Sequence, residues 1–138
     1  MRKVTLLCAG AALALLPASA IQAEGVSSST FNLRYNVPVL CRLAHTPSLA
    51  ASDSGYRLGE LLEYCNAATG YSLIVNYTPG TMRGASIAVG NDHVTLSGSG
   101  REIISRVGGP RIREREIYAQ PGPAGFDTDR LDFDIKAG

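Results

Sequence analysis

Few side chains in this 138-residue sequence have types and spacing that could do chemistry: Cys8, Cys41 and Cys65, the histidines His45 and His93, and the acidic group Asp127, Asp129, Asp132 and Asp134. Neither histidine sits in a nucleophile motif, and the chain has no G-x-S-x-G and no H-E-x-x-H. Gly98-Ser99-Gly100 has the glycines of a phosphate loop without the following Gly-Lys-Ser/Thr, and a tight turn accounts for it better. Asp132 and Asp134 share the polar face of an expected strand with Arg130 and Lys136, so they read as a solvated face rather than as calcium ligands. Arg111, Arg113 and Arg115 are interleaved with Glu114 and Glu116, the charge balance of an exposed strand and not of a nucleic-acid footprint. No catalytic, cofactor or metal site is expected, and an exported hydrolase has no constellation to speak for it.

The cysteines carry the remaining chemistry, and their reading depends on the N-terminus. Met1-Arg2-Lys3 is followed by an apolar run from Val4 to Leu16, then by Pro17-Ala18-Ser19-Ala20. A short positive start, an apolar middle and small residues form the three-part pattern of a secretory signal. Cleavage after Ala20 or after Ala23 fits the small-residue spacing. The run is shorter than the roughly 20 residues that span a bilayer, and Leu7 before Cys8 argues against lipid attachment. Export removes Cys8 and leaves Cys41 and Cys65 in an oxidising compartment, where two thiols read as one disulfide. Their spacing matches neither a zinc site nor a redox Cys-x-x-Cys pair.

The whole chain carries 13 Lys+Arg against 12 Asp+Glu. Losing Arg2 and Lys3 with the signal changes the balance to 11 against 12, a net charge of −1, which gives no basic field for nucleic acid. Residues 24–138 are long enough for one domain with a real core. Fifteen Gly and seven Pro interrupt the chain too often for long helices.

The elements that must position the cysteines are short strands. Phe31, Leu33, Tyr35, Val37 and Val39 alternate with Asn32, Arg34, Asn36 and Pro38, a period-2 pattern that predicts a half-buried strand over 30–39. Pro38 cannot donate to a ladder, so this strand belongs at an edge or ends there. His45 to Ser54 has turn composition and reads as a loop. Leu58 to Cys65 fits helix or strand, with Gly59 and brevity favouring a strand. Tyr71 to Thr78 is a strand by alternation and composition. Ala85–Val89 and His93–Ser97 form a hairpin across Gly90-Asn91-Asp92. Arg101–Val107 is a strand with Ile103 or Ile104 inward, Ile112–Ala119 an exposed strand, and Leu131, Phe133 and Ile135 mark a final half-solvated strand. Six to eight short strands separated by turns indicate an all-β sandwich.

Three segments together resemble a family. They are Phe31-Asn-Leu-Arg-Tyr-Asn-Val-Pro-Val-Leu-Cys41, then Tyr64-Cys65-Asn66 leading into Tyr71–Thr78, and finally Gly122-Pro-Ala-Gly-Phe126-Asp-Thr-Asp-Arg-Leu-Asp-Phe-Asp-Ile135. They are similar to the spore coat protein U-like pilin subunits of chaperone–usher systems. The match covers both ends of the exported chain and little of the middle. It departs in the short stretch between the cysteines and in Phe126, where the family usually has Tyr.

The resemblance implies an immunoglobulin-like sandwich that lacks its last strand. The open edge is filled first by a periplasmic chaperone, then, at an outer-membrane usher, by the N-terminal strand of another pilin subunit. Phe31, Leu33, Tyr35, Val37 and Val39 become the candidate donor strand, and Phe126, Leu131, Phe133 and Ile135 the C-terminal strand beside the groove. The same five residues read equally as this domain's own first strand. The implied function is a structural subunit of a surface pilus or coat-like fibre, passing through the periplasm to the cell surface, with no membrane span after signal cleavage. The alternative is a self-complete secreted recognition module, such as a tip adhesin, with Tyr56, Tyr64, Tyr71, Tyr77 and Tyr118 as stacking faces for sugars.

Overall fold

A computed structural model describes residues 30–138. The signal expected over residues 1–23 lies outside the described residues. The chain divides into two units, Met1–Tyr35 and Asn36–Gly138. In the first, the described residues 30–35 form neither helix nor strand.

The second unit holds eight strands: β1 (Cys41–Ser52), β2 (Gly55–Cys65), β3 (Tyr71–Asn76), β4 (Ser86–Val89), β5 (Asp92–Thr95), β6 (Arg101–Val107), β7 (Arg111–Gln120) and β8 (Asp132–Ala137). They form a five-stranded sheet, β1-β2-β7-β4-β5, and a three-stranded sheet, β6-β3-β8. Every ladder is antiparallel. The inward faces of the two sheets enclose one apolar core of Leu58, Leu61, Leu73, Val75, Ile87 and Ile117 with their neighbours, so the unit is an all-β sandwich. Among the described residues no helix is long and apolar enough to cross a membrane.

The strongest alternation in the sequence produces the central strand. β3 pairs with β6 on one side and β8 on the other, and Tyr71, Leu73 and Val75 are buried. Of the pair Ile103 and Ile104, Ile104 is buried and Ile103 is 41% exposed.

Three expectations change. Residues 30–40 form no strand, and the first ladder begins only at Cys41. The loop expected over His45–Ser54 is instead strand through Ser52, because β2 offers a full-length partner and a bulge between Pro47 and Ala50 absorbs the turn-forming residues. Gly59 allows this bulge, since it has φ +118° and a Cβ there would lie 2.1 Å from the Thr46 carbonyl oxygen. Finally, β7 has the exposed face expected of it, at Ile112, Glu114, Glu116 and Tyr118, but it is interior to its sheet, between β2 and β4, and its other face is covered at Ile117 and Ala119.

The third change has a chemical consequence. Glu63 on β2 lies directly opposite Arg113 on β7, and both point between the sheets. Glu63 is completely buried. Its carboxylate accepts from Arg113 Nε at 2.9 Å, Arg115 Nε at 2.7 Å and the Tyr71 hydroxyl at 2.6 Å. Arg115 also donates to Asp92 Oδ2 at 2.6 Å and to the Val89 carbonyl at 3.0 Å, and its Nη2 donates to Ser105 Oγ at 3.2 Å. The Arg113 guanidinium stands 5.8 Å from the centre of the Tyr71 ring. Burial, reinforced by the bond to Glu63, pushes the Tyr71 hydroxyl above its ordinary pKa. Burial alone would lower the pKa of Arg113, but Glu63 outweighs it and raises the value. Among the described residues every buried side-chain nitrogen and oxygen has a partner, the condition under which a buried charge cluster is tolerated.

Candidate functional site: an open sheet edge

The disulfide joins Cys41 to Cys65, which are also register partners at the end of the β1–β2 ladder. It closes the end of the sandwich where Cys65, Ala67 and Tyr71 pack with Cys41, Val107, Ile135 and Ala137. In the chain-entropy picture a loop of this length contributes about 3 kcal/mol.

The C-terminal residues singled out by the sequence come together along one edge. Leu131, Phe133 and Ile135 face inward, half-buried against the core, while Asp132, Asp134 and Lys136 face outward. Phe126 also packs on the core, in a loop tied down by the bond from the Asp127 N–H to Met82 Sδ at 3.3 Å. Among the described residues β8 has only β3 as a ladder partner. The Gly138 N–H donates to the Gly70 carbonyl at 2.9 Å, which sets the phase of that ladder. By antiparallel alternation the backbone groups of Lys136, Asp134 and Asp132 then point to β3, and those of Phe133, Ile135 and Ala137 point to the free side. One of these outward donors, the Ile135 N–H, is bonded to the carboxylate of Asp134 at 2.8 Å.

Beside this edge the sandwich is open. A cavity of about 250 Å³ lies between β1 and the entry to β8, lined by the apolar Pro47, Leu49, Leu58, Leu131 and Phe133 and by the polar His45, Thr128 and Asp129. His45 donates from Nε2 to the Leu58 carbonyl at 3.0 Å, and its ring meets Phe133 edge-on with centroids 5.9 Å apart. An extended, alternating apolar strand has what such a site requires: a backbone for the unpaired groups and side chains for the half-covered core.

The candidate donor residues are distributed differently. Phe31, Leu33 and Tyr35 belong to the first unit, Val37 and Val39 to the second, and all five are between 62% and 84% exposed. The tyrosines proposed as stacking faces do not form a common platform. Tyr71 and Tyr77 are buried in the core, and the Tyr118 hydroxyl is committed to Glu116 at 2.9 Å. Asp127 pairs with Arg130 at 2.9 Å, and among the described residues no group of three metal-ligating side chains converges.

Nothing in composition marks the Glu63 network, yet the sequence carries a signal for it. Period-2 extension from Leu61 to Cys65 places Glu63 inward, and extension back from Ala119 and Ile117 does the same for Arg115 and Arg113. No family model, curated protein or solved structure matches this chain.

Proposed function

We propose that this protein is a structural subunit of a surface pilus or coat-like fibre, assembled by donor-strand complementation through a periplasmic chaperone and an outer-membrane usher. The observation that carries the reading is that, among the described residues, nothing pairs with the outer side of β8: outward backbone groups at Phe133, Ile135 and Ala137 stand next to an open cleft in which Leu49, Leu131 and Phe133 are partly uncovered. The ladder order gives further support. A sheet of β1-β2-β7-β4-β5 over one of β6-β3-β8 is compatible with an immunoglobulin-like sandwich that takes a further strand on the outer side of β8, where none of the described residues pairs. An uncovered edge of this kind invites pairing with another chain, which is why a chaperone is expected in transit.

The exposed stripe Phe31, Leu33, Tyr35, Val37 and Val39 has the alternation that the groove requires of an incoming strand. The test is assembly with and without it. A chain lacking Phe31–Val39 should keep its fold and its chaperone binding but form no polymer, and a synthetic Thr30–Val39 peptide should bind the truncated chain and protect β8 amides from hydrogen exchange. A full-length exported chain that remains a stable monomer with no partner, and a peptide that does not bind, reject the reading.

A further inference from the structure

The chain enters β1 through a junction that the strand ladder alone does not require. Cys41 and Cys65 are the terminal register partners, and one further ladder bond runs from the Asn66 N–H to the Leu40 carbonyl at 3.1 Å. In a regular antiparallel pair the return bond would join the Leu40 N–H to the Asn66 carbonyl. Here the Leu40 N–H donates instead to Asn66 Oδ1 at 2.6 Å, and Asn66 Nδ2 donates to the Pro38 carbonyl at 3.0 Å. A carboxamide carries the same acceptor and donor as a peptide group. The Asn66 side chain therefore replaces the strand residue that β2 stops supplying once its main chain turns toward β3. Three bonds from this one residue hold Pro38–Leu40 in continuation of β1, immediately beyond the disulfide.

We propose that the Asn66 clamp keeps the chain from filling its own groove, so that the apolar stripe at Phe31–Val39 is available only to another copy; this rests on the strand-exchange reading above. The argument is one of length. The Cys41 end of β1 packs with Ile135 and Ala137, the C-terminal end of β8. To lie along β8, the upstream chain must reverse at this end and run back toward Phe133. With Pro38–Leu40 held in line, the reversal falls upstream of Pro38 and consumes about two residues, Asn36 and Val37. Tyr35, Arg34 and Leu33 then only retrace the roughly 10 Å taken by Pro38–Leu40, at ~3.3 Å per residue. Of the alternating run, Asn32 and Phe31 alone are left to meet β8, and the preceding Ser27-Ser28-Ser29-Thr30 is polar. Released from Asn66, the reversal moves to Val39–Leu40, and Val37, Tyr35, Leu33 and Phe31 all come level with β8. A separate copy has no such limit.

The test compares the exported chain, unfolded in urea with its disulfide intact and diluted into buffer, with two variants. Asn66→Ala removes the clamp; a six-residue Gly-Ser insertion between Tyr35 and Asn36 bypasses it and leaves Asn66 in place. Sedimentation gives the monomer fraction, and limited proteolysis reports whether Phe31–Val39 is protected in that monomer. The wild type should form oligomers and leave a protease-sensitive monomer, while both variants shift several-fold toward a protease-resistant monomer. A wild type that assembles beside an insertion variant with unchanged monomer fraction overturns the clamp, whatever Asn66→Ala does, including failing to fold. A wild type that stays monomeric and protected overturns the assembly reading and the clamp with it.

Discussion

Two stretches of this chain have nearly the same sequence pattern and opposite structural fates. Phe31–Val39 and β3 both alternate apolar residues rich in aromatic and β-branched side chains. β3 has a ladder on each side and carries Leu73 and Val75, which are completely covered. The other stretch forms no strand and leaves Tyr35 84% exposed. Alternation therefore specifies that a segment has a face to bury, and says nothing about which chain provides the partner. For the strand-exchange reading, that gap between pattern and partner is the functional point.

The largest break in the comparison should come from the buried charge that anchors the head of β3. Glu63→Ala leaves Arg113 and Arg115 without their carboxylate and Tyr71 without its acceptor, so urea unfolding should show a loss of about 3–5 kcal/mol. Next is a matched pair of truncations. Leu73→Ala opens a cavity in the core and should cost about 2–5 kcal/mol, whereas Leu33→Ala should change the unfolding midpoint of the domain by less than about 0.5 kcal/mol and instead weaken assembly. Equal effects from the two would mean that the N-terminal stretch is part of the folded core.

A smaller effect is expected at the open edge. Asp134 bonds the outward Ile135 N–H, and a charge at such a position discourages edge pairing. Asp134→Ala should leave the unfolding midpoint nearly unchanged and increase self-association, measured by light scattering at fixed concentration. The smallest effect is a pH dependence. Tyr71 has its folded pKa raised above that of the unfolded chain, so its contribution is complete below about pH 10 and declines as pH rises through the folded value. Stability measured between neutral and strongly alkaline pH should fall with a slope that Tyr71→Phe reduces.

Much of the fold was legible because turns and alternation are local properties. β3, the β4–β5 hairpin, β6 and β8 all follow from period-2 runs bounded by Gly, Pro, Asn or Asp, and the Cys41–Cys65 bond follows from two cysteines in a chain that reads as exported. β1 was hidden because its middle, Thr46-Pro47-Ser48, has the composition of a turn and becomes strand only against β2. The exposed face of β7 is legible, and its inner face is not, because its arginines and glutamates carry the composition of a solvated strand. Only pairing with β2 brings Arg113 opposite Glu63 and converts charges that look exposed into an interior network.

The candidate site divides in the same way. The residues of β8 could be singled out by number from their alternation and from a resemblance at the C-terminus. The cavity beside them, the direction of the free backbone groups and the Asn66 junction required coordinates. By itself the sequence determined that β3, the β4–β5 hairpin and β8 are extended, which faces of β3 and β8 are apolar and which two thiols can pair, because those depend on side-chain type and a fixed backbone period. Only the tertiary structure decided that β7 is interior to its sheet, that Glu63 is neutralised by Arg113 and Arg115, and that β8 has one ladder partner among the described residues. Those are contacts between residues far apart in sequence, and their energies depend on what lies opposite rather than on what comes next.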